Sequence, residues 1–211
     1  TQLHSFHVRR YTPDRMVVAV AGNVDHDHTV ELVRRAFAGH LDPAATAAPR
    51  REGSLRLRTA PTLSITDRDG EQAHLAVGVR SFGRHDSRRW ALSVLNAAVG
   101  GGLSSRLFQE IREQRGLAYS VYSGVDTFAD TGAFSVYAGC QPENLGEVAA
   151  LVREVLTDVA DNGVTEAECA RAKGSLRGAL VLGLEDTGAR MNRIGRSELS
   201  YGTHWSVTDT L

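Results

Sequence analysis

The chain has 211 residues, between one domain and two at the usual ~150 residues per domain. Its 24 Lys+Arg against 25 Asp+Glu leave a net charge of −1, so no general field exists to hold DNA, RNA or an anionic membrane. At 42% hydrophobic and 23% charged residues it reads as an ordinary folded protein, and two cysteines are too few for a disulfide scaffold or a cysteine-built zinc site.

In chain order, residues 16–21 (MVVAVA) form a β-branched run expected to be a buried strand. Asp25 then caps a helix to about Ala38, with Val30, Val33 and Phe37 at helical spacing. Residues 42–61 hold three of the five prolines among small and charged residues, a linker composition and the expected domain boundary. Residues 63–66 and 73–79 read as strands, the second with His74, Ala76 and Gly78 on one face and Leu75, Val77 and Val79 on the other. Asp86 caps a helix to about Val99, and Ser104 or Ser105 another to about Gln114, with Gly116 as its stop. Residues 117–128 and 133–140 look like a hairpin. Pro142 opens a long amphipathic helix ending near Gly163, Thr165–Glu168 is a capping box, and a last helix runs from about Asp186 to Tyr201. Strands grouped with helices, without strict alternation, predict an α+β domain whose helices pack on one face of an antiparallel sheet.

The longest apolar runs fall far short of the ~20 residues that span a bilayer, and no secretory signal is visible. The chain begins at Thr1 without an initiator methionine, so an upstream segment is expected. No localisation follows, although a bacterial cytoplasm is favoured.

Eight histidines raise the question of metal, but His28-Thr29-Val30-Glu31 is followed by Leu32 where a zincin-like motif needs a second imidazole. His4 and His7 share a helical spacing without acidic company, and no complete metal site can be read from the chain. No Gly-x-Ser-x-Gly elbow occurs, Cys140 and Cys169 lack activating neighbours, and Cys169 is expected to be a small core residue. Gly100-Gly101-Gly102 lacks the spacing of a phosphate loop and reads as a tight helix-to-helix connection.

The segment 100–122, GGGLSSRLFQEIREQRGLAYSVY, is different. As a helix it puts Leu103, Leu107 and Ile111 on an apolar face and points Arg106, Glu110 and Glu113 elsewhere. Arg112 and Tyr119 flank the corner where Gly116 turns helix into strand, and they could converge. A guanidinium and a phenolic hydroxyl suit a peptide carbonyl that becomes an oxyanion. Spacing alone also allows a surface arginine and a half-buried strand tyrosine.

GGGLSSRLFQEIREQRGLAYSVYS closely resembles the second-half signature of the pitrilysin/insulinase family of zinc metallopeptidases, in its mitochondrial-processing-peptidase-like bacterial branch. Residues 6–37, where Tyr11-Thr12-Pro13 leads into MVVAVAGNVDHD, resemble the strand–helix that completes the family's first domain. Residues 72–79, 94–96, 165–173 and Arg190-Met191 extend the likeness over nearly the whole chain. The resemblance implies two homologous halves around a peptide, with an inverted His-x-x-Glu-His zinc motif and a further glutamate in the first half. It also implies that Arg112 and Tyr119, seven residues apart, hold the substrate carbonyl and stabilise the tetrahedral intermediate formed by zinc-activated water.

Residues 1–41 are then the strand–helix remnant of the zinc-bearing first domain, 42–61 the linker and 62–211 the second, substrate-binding domain, truncated at its C-terminus. The expected partners are a peptide or unfolded protein substrate, the missing zinc-bearing half and a further copy of the chain through the orphan strand at 16–21. Zinc is expected in the parent and not in this chain, which alone is expected to be inactive; nucleic acid and membrane are not expected. The competing expectation is a non-catalytic homologue acting as a structural or assembly partner subunit.

Overall fold

The computed structural model describes residues 1–42, 44–49 and 60–210, so residues 43 and 50–59 of the expected linker lie outside the described residues. The chain divides into two compact units, Ile65–Leu180 and Thr1–Ser64 with Val181–Leu211.

The unit Ile65–Leu180 is built on a three-stranded sheet of β1 (Ala73–Ser81), β2 (Ala118–Thr127) and β3 (Gly132–Cys140). Their order is β1-β3-β2, and both pairings are antiparallel. Alternation along the strands decides which face is covered. On β1, Leu75 and Val77 pack on the core while His74, Ala76 and Gly78 stay exposed; on β3, Phe134, Val136 and Ala138 are buried.

Against that face pack α3 (Arg89–Val99), a π-helix (Phe108–Glu113) and α4 (Leu145–Asn162). Val148, Leu151, Val152 and Val155 recur at i, i+3, i+4 and i+7, so α4 presents one buried stripe. Gly163, at φ +74°, ends it, and the expected capping box begins α5 (Glu166–Gly183): Thr165 N–H donates to Glu168 Oε2 at 2.7 Å, and Glu168 N–H to Thr165 Oγ1 at 3.3 Å. This is the α+β arrangement expected, with helices on one face of an antiparallel sheet.

Gly100 joins α3 to β2. Its carbonyl accepts the Ser123 N–H at 3.0 Å, and Ser123 Oγ donates to Asn96 Oδ1 at 2.8 Å. A Cβ on Gly100 would stand 2.5 Å from the Ser123 backbone nitrogen, where no flexible side chain can yield. Gly100→Ala is therefore expected to cost about 1–3 kcal/mol of stability through overpacking. A urea midpoint unchanged from wild type would contradict this.

Three local expectations need correction. Residues 63–66 form no strand; Leu63 and Ile65 are 85% and 81% exposed and bury too little to hold one. Cys169 is only half-buried, because α5 buries no residue but Ala172. Residues 16–21 are extended at Met16 (φ −115°, ψ 137°) yet belong to no ladder among the described residues. Extended geometry follows from the β-branched run, whereas a strand needs a paired neighbour.

That segment is approached instead by α6 (Thr187–Tyr201), where a Cβ on Gly195 would lie 3.2 Å from Ala19 Cβ. Val181–Leu211 belong to the same compact unit as Thr1–Ser64. The same unit holds α1 (Gln2–Arg10), unanticipated in the sequence, and α2 (His26–Phe37), where Asp25 accepts the His28 N–H at 2.8 Å as expected. Asp186 caps α6 likewise, accepting the Ala189 N–H at 2.6 Å.

Candidate functional site

Two irregularities of the backbone bring Arg112 and Tyr119 together. The first is in the helix that carries Arg112, which is a π-helix and not the α-helix expected: Gln114 N–H donates to Gln109 O, five residues back, at 2.9 Å. Leu107 and Ile111 are fully buried and fix its inner side, so Arg112 faces solvent. Leu103, expected on the apolar face, precedes the helix and is 73% exposed. Gly116, at φ +65°, turns the chain into β2.

The second is a β-bulge at the start of β2. Ala118 pairs with Cys140 and Ser120 with Gly139, leaving Tyr119 as the extra residue. Ala118 and Val121 can therefore both face the core although three residues apart, and Tyr119 is thrown outward to 79% exposure. It is not the half-buried strand tyrosine that spacing allowed. Insertions of both kinds concentrate at functional sites because they re-aim a side chain at a cost in local regularity.

The Arg112 guanidinium carbon lies 5.3 Å from the Tyr119 ring centroid and 5.0 Å from that of Phe108, held between two aromatic rings. Among the described residues, no ion pair engages Arg112 and no hydrogen bond engages the Tyr119 hydroxyl, so their donors are free for a ligand. They border a cleft of about 700 Å³ at the end of the sheet, with Gln72, Gly139 and Asn144 among its walls. Asn144 Nδ2 donates to Leu117 O at 3.4 Å and ties the corner down. The Cys140 thiol borders the cleft too, but burial and then Glu143 push its pKa up, so it stays protonated and is a poor nucleophile.

Arg106, expected off the apolar face of Leu107 and Ile111, is enclosed by charged partners. Its side chain is 17% exposed and forks onto Glu168, Nε to Oε1 at 2.5 Å and one terminal nitrogen to Oε2 at 2.7 Å. The other terminal nitrogen reaches Asp158 at 2.6 Å. No local sequence signal marks this cluster, whose members lie 52 and 62 residues away.

The Arg106 guanidinium holds the Glu168 carboxyl down at about 2, against an ordinary 4.5. A depressed folded pKa means a stabilising contribution that is complete above about pH 4.5 and lost as pH falls toward 2. Glu168→Gln is expected to flatten the loss of stability across that interval, measured as urea midpoints at several pH values; an acid-limb slope equal to wild type would contradict it.

Among the described residues, no group of three His, Cys, Asp or Glu side chains is placed to hold a metal ion. Among the described residues, no helix is long and apolar enough to cross a membrane.

The family model for the Peptidase M16 inactive domain matches residues 1–176. An uncharacterized zinc protease of Mycobacterium leprae (strain TN) is 60% identical over 211 residues, 100% of this chain and 47% of that protein. A probable mitochondrial-processing peptidase subunit beta of Schizosaccharomyces pombe is 34% identical, over 93% of this chain and 45% of that protein. The crystal structure of a peptidase M16 inactive domain from Pseudomonas fluorescens matches with a TM-score of 0.75 at 26% identity, covering 94% of this chain and 46% of that one. The chain spans about half the length of the curated relatives it matches.

Proposed function

Since the chain belongs to the family of peptidase M16 inactive domains, we propose that it is the substrate-holding half of a zinc-dependent endopeptidase, with Arg112 and Tyr119 gripping the carbonyl of the scissile bond. The observation that carries this reading is the convergence of two unengaged donor groups, one from a π-helix and one from a β-bulge, on one open cleft.

The chemistry follows from the two side chains. A peptide carbonyl gains negative charge as it becomes tetrahedral, and hydrogen-bond donors aimed at that oxygen stabilise the transition state more than the ground state. The guanidinium brings a fixed cationic fork and the phenol a single neutral donor on a short, stiff side chain. Neither is a nucleophile or a base, so on this reading zinc and the groups that act with it belong to another half of the parent.

The cleft has the size of a small-ligand site and opens at the sheet end, which suits one segment of an extended peptide. The test is made in the longer protein containing this chain, assayed on unfolded protein and peptides. Arg112→Ala is expected to lower kcat by about 10²-fold or more with little change in KM, and Arg112→Lys to recover only part of it, because lysine keeps the charge but not the fork. A zinc-loaded, folded Arg112→Ala enzyme with wild-type kcat would overturn the reading.

A further inference from the structure

We propose that Arg106 is a positioning residue for the reaction, the clamp that fixes the helical register in which Arg112 meets Tyr119. The inference rests on the role given above to Arg112 and Tyr119, and it adds the residue that makes their meeting possible.

Residues 105–115 have the apolar spacing of an ordinary α-helix, since Leu107 and Ile111 sit four apart and both are fully buried. Nothing in that spacing requires a wider turn. The π-helix must therefore be imposed from its ends, and both ends are pinned.

Beyond the C-terminal end, the Ile111 carbonyl accepts the Leu117 N–H at 2.9 Å and the Arg112 carbonyl accepts the Gly116 N–H at 3.1 Å. At the N-terminal end, two residues before Phe108, stands Arg106. Its guanidinium donates to four acceptors on other elements: both Glu168 oxygens, Asp158 Oδ2 and the Gly163 carbonyl at 3.1 Å. None of these yields easily. Glu168 Oε2 also accepts from the Thr165 N–H and, at 2.8 Å, from its hydroxyl, so the carboxylate is locked into the capping box of α5.

With both ends held, the extra residue is confined between them. Freed at Arg106, the segment can relax toward an α-helix, in which each residue of slippage turns a side chain by about 100° and moves it about 1.5 Å along the axis. Either displacement takes Arg112 off the Tyr119 ring. Misplacement of about 1 Å in a catalytic group can cost on the order of 10² in rate.

The experiment uses the longer protein and the pair Arg106→Gln/Glu168→Gln, which removes both charges together and orphans neither. Arg106→Lys serves as the milder variant should the pair fold poorly. The expected result is a fall in kcat of about 10²-fold for the pair, with KM nearly unchanged. In an Arg112→Ala background the same changes lower kcat no further, because the clamp acts through Arg112.

Hydrogen exchange by mass spectrometry is expected to accelerate in peptides spanning 108–117 and to hold in those spanning β3. A purely structural ion pair would speed exchange across the unit and multiply with Arg112→Ala. If Arg112→Ala lowers kcat but the Arg106/Glu168 variants do not, or if their effects multiply, this inference fails and the proposed function stands. If Arg112→Ala leaves kcat unchanged, the proposed function fails, and unchanged exchange over 108–117 would remove the clamp as well.

Discussion

Tyr119→Phe in the longer protein is expected to lower kcat by ~10²–10³, or about 2.7–4 kcal/mol of transition-state stabilisation, with folding and zinc content unchanged. The substitution deletes one hydroxyl and keeps the ring. Whatever packing the ring provides is retained, including its contact with the Arg112 guanidinium at 5.3 Å. Stability should hardly change, because the side chain is 79% exposed and among the described residues its hydroxyl bonds to nothing. A wide fall in kcat with constant Tm can then come only from the loss of a donor to substrate. Steady-state kinetics on a peptide substrate, with thermal melts on the same samples, separate the two effects; wild-type kcat for this variant would remove Tyr119 from the reaction.

Ile111→Ala is expected to act in the opposite sense, costing about 2–5 kcal/mol of stability. Ile111 is fully buried in the cluster that joins α3, α4 and the sheet, and truncation leaves a cavity that the pinned π-helix is poorly able to fill. Against a total of about 5–15 kcal/mol for a typical domain that is a large fraction. Arg112→Ala, one residue on and facing solvent, is expected to shift stability by about 0.5 kcal/mol or less. The measurement is a pair of urea curves at constant m-value. Equal midpoints for the two variants would contradict the division of this segment into an inner anchor and an outer functional side chain.

Much of this was readable in the residues. The caps at Asp25 and Asp186, the Thr165–Glu168 box and the hairpin between β2 and β3 depend on neighbours within a few positions, so local pattern suffices. Gly116 marks the corner that Arg112 and Tyr119 flank, but spacing alone also allowed a surface arginine and a strand tyrosine, and it was the resemblance of the whole segment 100–123 that singled out the pair.

The bulge has a signal in the sequence. Ala118 and Val121 are apolar at a spacing of three, which strict alternation cannot bury on one face. The π-helix had none, since α and π turns both accept Leu107 and Ile111 inward. Residues 16–21 show the same limit: their composition dictates extended backbone, while strandhood depends on a neighbour that composition does not name.

The joint action of Arg112 and Tyr119 on one oxygen is tested most directly by a double-mutant cycle on kcat, with Arg112→Ala, Tyr119→Phe and the combination in the longer protein. Two donors to the same developing charge are expected to be strongly non-additive, the double variant losing far less than the product of the single losses. Loss factors that multiply would place the two side chains on separate tasks and contradict the account.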